Sequence, residues 1–320
     1  MSNTILISGG AGFIGYTTGR KLLERGDKVI AVDNLSDYYD PELKKSRLRI
    51  LEQYDNFKFY NVDITDYAAL EKIAQQEKID KIFHLAAQAG VRYSIENPFS
   101  YQETNNKGTL NLLELARHYG IKNFISASSS SVYGGNTEMP FREDQEVNKP
   151  ISLYAATKRN GELMCYTYKH LYGINARCLR FFTVYGPWGR PDMALFKFTK
   201  NIIAGEPIDV YNEGKMRRDF TYIDDIVNGA IGAIDNDYEY EIFNIARGEV
   251  VELMEYIHAL EDALGIKAKF NMMGMQDGDV PATEADISKA KKMLNYNPQT
   301  SVKEGVEQFV KWYKEYYKIK

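Results

Sequence analysis

Directly after an apolar, β-branched run, Thr4-Ile5-Leu6-Ile7, the chain reads Ser8-Gly9-Gly10-Ala11-Gly12-Phe13-Ile14-Gly15 and enters a helical pattern over residues 13–25. Gly9, Gly12 and Gly15, spaced G-x-x-G-x-x-G between a strand and a helix, restrict what such a chain can become. Without Cβ atoms the backbone can approach a pyrophosphate closely, and a helix N-terminus offers unpaired N–H groups and a positive dipole end. The triplet alone also fits a plain tight turn. The next strand, Lys28-Val29-Ile30-Ala31-Val32, ends in Asp33. That puts a carboxylate about 20 residues after the loop, where a dinucleotide fold holds the adenosine ribose hydroxyls. Asp33 would repel a 2′-phosphate and no arginine follows it immediately, so NAD is expected rather than NADP. A solvated loop acid is the alternative for Asp33. Phe13 and Ile14 within the loop, and Asn34 after the acid, join the expected cofactor contacts. A third strand end, Val62-Asp63-Ile64, suits an edge that brackets adenine or, equally, a helix-capping acid.

Strands and helices go on alternating: residues 57–60, a helix over 67–76, strand 81–84, a helix over 100–119, then strand 123–127. This βαβ order predicts a doubly wound parallel sheet of the Rossmann type. From about Gly186 the pattern changes. Pro187, Pro191 and Pro207 punctuate it, and helices over 222–235, 251–264 and 301–316 join fewer, shorter strands. The expected division is a dinucleotide-binding domain over 1–180 and a smaller α-rich substrate domain over 181–320, with a possible return strand near 242–246. The length of 320 residues suits two domains.

Composition excludes several classes. With 40 basic against 44 acidic residues and a net charge of −4, the electrostatic footprint of a nucleic-acid binder is missing. No apolar run approaches the roughly 20 residues that cross a bilayer, and residues 1–3 carry no basic leader. Only Cys165 and Cys178 occur, which fits a reducing, cytoplasmic setting. His84, His118, His170 and His258 show no metal-ligand spacing, so no metal is expected. His84 reads as a satisfied core histidine. Tyr166, Tyr168 and Tyr172 read as packing residues.

Tyr-x-x-x-Lys occurs four times, at Tyr54/Lys58, Tyr154/Lys158, Tyr211/Lys215 and Tyr316/Lys320. On a helix i and i+4 share a face, so an ammonium can approach a phenol. Tyr54/Lys58 runs into a strand, Tyr211/Lys215 contains Gly214, and Tyr316/Lys320 is the chain end. Only Tyr154/Lys158 begins a helix after a parallel strand, one that ends in Ser128-Ser129-Ser130-Ser131-Val132-Tyr133-Gly134 at the sheet edge where doubly wound folds bind ligands. A phenol of pKa about 10 needs a shift of about 3 units, ~4 kcal/mol, to act as a base near neutrality. One ammonium about 4 Å away supplies roughly that at an effective dielectric of 20. A serine hydroxyl could share the same substrate oxygen. Such a group deprotonates an alcohol while hydride leaves its carbon.

On these residues the sequence resembles the extended short-chain dehydrogenase/reductases, within them the NAD-dependent nucleotide-sugar epimerase/dehydratase family, from Ile5 to about Asn297. The closest likeness is to its UDP-glucuronate 4-epimerase subgroup, carried by Asn34-Leu35-Ser36-Asp37-Tyr38-Tyr39-Asp40, Ala87-Gln88-Ala89-Gly90-Val91-Arg92-Tyr93-Ser94 and the stretch from Arg180 to Met193. The resemblance implies Tyr154 and Lys158 as the catalytic pair and Ser129 as the catalytic hydroxyl. It implies Leu85, Ala86, Ala87, Gln88 and Asn105 beside NAD, and Asp63 and Ile64 at adenine. It further implies Arg218 at the nucleotide diphosphate, Asp279 at its ribose and Gln276 where galactose epimerases have arginine. Glu284 stands where the subgroup often has an aromatic residue. A homodimer joined through helices near 100–119 and 153–172 is also implied.

The implied activity is 4-epimerisation of UDP-glucuronate to UDP-galacturonate through a 4-keto sugar. Sugar 4,6-dehydratases carry Asp-Glu after the catalytic hydroxyl; Ser130-Ser131 stand here, which disfavours elimination. A uronic acid oxidised at C4 is a β-keto acid, so its carboxylate must be held to prevent loss of CO₂. Arg190, with Thr183 as a neutral donor, is the expected grip. A surface arginine after a Pro-Trp-Gly turn is the alternative for Arg190. Arg92 serves the carboxylate or shapes its loop. The rival functions are UDP-glucuronate decarboxylation, 4-epimerisation of another UDP-sugar, and NAD sensing without catalysis.

Overall fold

Strand β1 (Thr4–Ser8) is followed by β2 (Lys28–Asp33), β3 (Phe57–Asn61), β4 (Lys81–His84), β5 (Asn123–Ser129) and β6 (Asn175–Phe181) in a computed structural model that describes residues 2–275 and 280–319. These six and the strand Tyr240–Ile245 form one sheet in the order Tyr240–Ile245, β6, β5, β4, β1, β2, β3. Every pairing is parallel. A parallel sheet is covered on both faces, so its strands must be apolar throughout. Ile5, Leu6 and Ile7 of β1 and Val29 to Val32 of β2 are fully buried accordingly. The expected return of the chain near 242–246 is the edge strand Tyr240–Ile245, in register with β6.

The order has one consequence for function. The chain runs from β1 outward to β3, then crosses back to β4 and continues the other way, so a crevice opens at the C-terminal ends of β1 and β4. Ser8-Gly9 leaves β1 there and Leu85 leaves β4 there. Helix α1 (Phe13–Glu24) starts at this crevice from Gly12, which has no side chain to cap the free amides. By contrast α2 (Pro41–Leu51) and α3 (Tyr67–Gln76) are capped by the side chains of Asp40 and Asp66. The α1 amides are left for another acceptor.

Among the elements that differ from the sequence-based expectation, two bear on the site. Helix α2 was not foreseen, because five of its eleven residues are charged; Lys44 and Arg47 are nevertheless buried with Leu43, Leu48 and Leu51. The helix expected over 100–119 is broken into Pro98–Tyr101, a widened π-helical stretch Gln102–Lys107 and the α-helix Gly108–His118. Past β6, the helices Ala194–Ala204, Leu253–Leu264 and Val302–Tyr317 enclose an aromatic core that includes Phe196, Phe220, Tyr256, Phe309 and Tyr313. The helix Ile223–Asp235 instead packs Ile226, Ala230 and Ile234 into the core beneath the main sheet. No helix among the described residues is long and apolar enough to cross a membrane.

Candidate active site

A cleft of about 580 Å³ runs along the C-terminal edge of the sheet. At one end lies the glycine loop. A Cβ on Gly9 would come 2.8 Å from the Ala86 amide, and Gly9 takes a left-handed φ of +72°. A Cβ on Gly15 would meet the Gly9 carbonyl at 2.2 Å. Only glycine fits either place, and the bare loop with the uncapped start of α1 suits a pyrophosphate. Asp33 accepts from the Ala11 and Leu35 amides, at 3.2 and 2.9 Å, which fixes its carboxylate at the loop mouth. Lys44 Nζ lies 3.8 Å from it. Asn34 donates to Asp63 at 2.8 Å, so both second-strand and third-strand acids face the same end. The residues present therefore fit NAD, with Asp33 placed for a ribose diol.

The wall formed by Leu85, Ala86, Ala87 and Gln88 is held from behind. Thr109 donates to the Asn105 carbonyl at 2.5 Å, so it must accept from His84 Nε2 at 2.9 Å. His84 Nδ1 then accepts from Ser8 Oγ at 2.7 Å, and Ser8 Oγ in turn accepts from the Leu85 and Ala86 amides. The ring is thus a neutral strut. Burial first, and the Lys158 charge second, push His84 down to about 3. Asn105 does not line the cleft. It is buried in the π-helical stretch, donates to the Gln88 carbonyl and to Thr157, and accepts from the Gln88 amide. These bonds brace the Gln88 end of the wall.

At the other end, β5 delivers Ser129 and the helix Leu153–Tyr172 delivers Tyr154 and Lys158. Ser152 caps that helix by accepting from the Ala155 amide, which sets the height of Tyr154 two residues on. Tyr154 and Ser129 line the same stretch of the cleft, and the Tyr154 ring stands edge-on to Tyr101 at 6.2 Å.

Burial and nearby charge act on both members of the Tyr154/Lys158 pair. Burial pushes the Tyr154 phenol above its ordinary value; the Ser129 hydroxyl and the positive charge of Arg190 work against that rise. The Lys158 ammonium donates to the Ala127 carbonyl at 2.8 Å, and burial followed by Arg190 pushes it down to about 8.

Thr183, Arg190 and Arg92 complete the wall, together with Phe13, Ile14 and Ile64 from the cofactor end. Arg190 makes two parallel bonds to Asp192, Nε to Oδ1 at 3.0 Å and Nη2 to Oδ2 at 2.5 Å. The guanidinium of Arg92 sits 5.0 Å from the centre of the Tyr211 ring. Arg218, on the short strand Arg217–Arg218, lies outside the cleft wall. Gln276 and Asp279 fall outside the described residues. Among the described residues no group of His, Cys, Asp and Glu could hold a metal ion.

Three features escaped the sequence reading. Glu162, one turn beyond Lys158, is buried with Arg180 in a two-bond ion pair at 2.8 and 3.0 Å and accepts from Ser128 at 2.7 Å, under the catalytic strand end. Arg47, wholly buried, donates to the Ala11 carbonyl of the glycine loop, to Tyr39 Oη and to the Trp188 carbonyl, at 2.9, 3.0 and 2.5 Å. Trp188 is held with a left-handed φ of +65° in the turn that precedes Arg190. Tyr38 faces Asp192. The available signal for Arg47 was its i+4 spacing from Leu43 and to Leu51 on an otherwise charged helix.

Residues 5–246 match the model of the NAD dependent epimerase/dehydratase family. The chain belongs to that family. Within it, the chain is 48% identical over 97% of its length to a UDP-glucuronate 4-epimerase of Thermodesulfobacterium geofontis, covering 96% of that protein. It is 51% identical to an uncharacterised protein of Methanocaldococcus jannaschii, over 97% of this chain and 96% of the other. Among solved structures of the family, the Bacillus cereus UDP-glucuronic acid 4-epimerase in complex with UDP-glucuronic acid and NAD superimposes with a TM-score of 0.92 at 36% identity, over 98% of this chain and all of that one.

Proposed function

We propose that this chain is an NAD-dependent isomerase that interconverts UDP-glucuronate and UDP-galacturonate, using Tyr154, Lys158 and Ser129 as its catalytic residues. The observation that carries the reading is a cation, Arg190, in the same cleft wall as the Ser129–Tyr154 hydroxyl pair and the glycine loop. A sugar acid meets that cation; a neutral sugar does not. The two UDP-glucuronate 4-epimerases named above support the same substrate. NAD, when bound, supplies the hydride acceptor and returns the hydride, so no net redox occurs. Tyr154 takes the O4 proton and later gives it back. Ser129 holds O4 and relays hydrogen bonding to the phenol. Lys158, anchored on Ala127, presents its remaining protons toward the cofactor end. Arg190 and Thr183 hold the carboxylate while the sugar turns to offer its opposite face. Arg218, Asp279 and Gln276 are assigned to the nucleotide, and the division at residue 180 into a dinucleotide part and a nucleotide-sugar part follows the same reading.

Purified protein incubated with UDP-glucuronate and no added NAD is expected to yield UDP-galacturonate and no CO₂. A pentose product would instead mark a decarboxylase, and no turnover of any UDP-sugar would mark a sensor. Arg190→Ala is expected to lower kcat/KM for UDP-glucuronate by about 30-fold or more while binding of UDP-glucose stays within a few-fold. An unchanged preference between the two sugars removes Arg190 from the assignment.

We further propose a homodimer. Phe99 is 81% exposed, Ile95 63% and Tyr166 55%, and Leu110, Leu163 and Leu171 join them on neighbouring helices. Tyr166 packs edge-on against Tyr240 at 5.1 Å, as a packing residue should, while leaving over half its surface exposed. Such a face is buried most simply against a second copy. Sedimentation equilibrium should give twice 36.7 kDa; a monomer at micromolar concentration refutes the pairing. Both cysteines are buried and free, in keeping with a cytoplasmic location.

A further inference from the structure

We propose that Asp192 is a specificity-determining residue of the cleft, a built-in carboxylate that occupies Arg190 whenever the sugar's own carboxylate is not on it. The inference rests on the reading of Arg190 as the sugar-acid grip. Three observations carry it. Asp192 meets Arg190 through two parallel bonds, the same bidentate geometry a sugar carboxylate would use. Both side chains line the cleft and are about a quarter exposed, so a ligand can reach the pair and replace one member. A second partner for Asp192 is within reach: the Tyr38 side chain lines the same cleft and faces it. Tyr38 is held by the Tyr93 ring at 5.0 Å and by Gly90, where a Cβ would approach the hydroxyl to 2.9 Å.

Binding is then an exchange of one carboxylate for another on the same guanidinium. Asp192 moves its contact to Tyr38 as the sugar acid arrives, and returns when the sugar acid lets go. Exchange weakens the hold on the bound sugar, because Arg190 is never left unpaired in the competing state. It also helps the sugar turn, since Arg190 has a partner during the interval in which the sugar carboxylate is released. An interaction that binds the resting sugar less tightly and eases its passage raises turnover at the expense of affinity. The stretch Asn34 to Asp40 thereby gains a role: it joins the cofactor acid Asp33 to the substrate end through Tyr38.

The test compares the NAD-loaded wild type with Asp192→Asn, Tyr38→Phe and Arg190→Ala, measuring Kd for UDP-glucuronate and UDP-glucose together with kcat and KM. Asp192→Asn should tighten UDP-glucuronate by about three- to tenfold and lower kcat by a similar factor, leaving kcat/KM nearly constant. Its Kd for UDP-glucose should not change. Tyr38→Phe should act in the opposite direction, loosening UDP-glucuronate a few-fold. A merely structural Asp192 would raise KM and lower kcat together, and that result overturns the proposal. So does an unchanged affinity in Asp192→Asn while Arg190→Ala still selectively weakens UDP-glucuronate. If Arg190→Ala affects both sugars equally, the underlying assignment of Arg190 has failed instead, and the exchange falls with it. Should Asp192→Asn not fold, Tyr38→Phe decides by its sign.

Discussion

Tyr154→Phe will slow turnover of UDP-glucuronate by about 10²- to 10⁴-fold, the range lost with a positioned proton-transfer group. The substitution removes one hydroxyl and keeps the ring that stands edge-on to Tyr101. Folding, NAD content and UDP-sugar affinity should therefore stay close to those of the wild type, and the loss should fall on kcat. The sign of the pH dependence follows from the phenol's surroundings. Burial raises it, while Ser129 and Arg190 lower it, so the base form gains with rising pH and the acid limb of the wild-type rate profile rises toward alkaline pH. Any residual turnover in Tyr154→Phe should lack that limb. Steady-state kinetics from pH 6 to 9 check both statements, and a variant within tenfold of wild type would show that another group takes the proton.

Glu162→Ala will destabilise the fold by about 3–5 kcal/mol, the cost of leaving a buried charge without its partner. Arg180 and Glu162 are each 1% exposed and share two bonds, so solvent cannot replace the lost carboxylate. At about 2 °C per kcal/mol for a large chain, the midpoint of thermal unfolding should fall by about 6–10 °C. Adding Arg180→Leu to Glu162→Ala should restore much of this, because an apolar pair carries no desolvation cost. In the wild type the carboxyl of Glu162 is held below the ordinary value for glutamate: burial raises it, and the hydrogen bonds and charge of Arg180, with Ser128 and Arg159, more than offset that. A group depressed in the folded state stabilises above its unfolded pKa of about 4.5. That contribution should be lost as pH falls below 4.5 through the folded value, and calorimetry across this range tests it. The same double substitution removes the acceptor of Ser128, so it also reports whether the serine run needs this brace for activity.

The strand order and the crevice were legible because they follow from local signals: apolar runs of strand length, a glycine turn after the first, and an acid at the end of the second. Tyr154 and Lys158 were legible from spacing combined with position. The Ala127 carbonyl that anchors Lys158 was not, since the i+4 argument counts distance along a helix and cannot see a partner that comes from another strand. The brace Asn105 makes was hidden for a related reason: its π-helical stretch turns it onto the Gln88 loop, and no residue pattern announced the widened turn. Charged residues in the interior were the hardest to read. Arg47, Arg180 and Glu162 look like surface side chains until partners as far as 141 residues away are brought beside them.

Arg47 holds the glycine loop and the Trp188 turn only through main-chain oxygens and one tyrosine hydroxyl. The anchor is therefore indifferent to which side chains the turn displays. Arms recognising other sugars could be grafted between Gly186 and Met193 without loosening the dinucleotide cradle, provided the guanidinium, the left-handed kink and the Trp188 ring, which packs on Tyr16 of α1, are retained together.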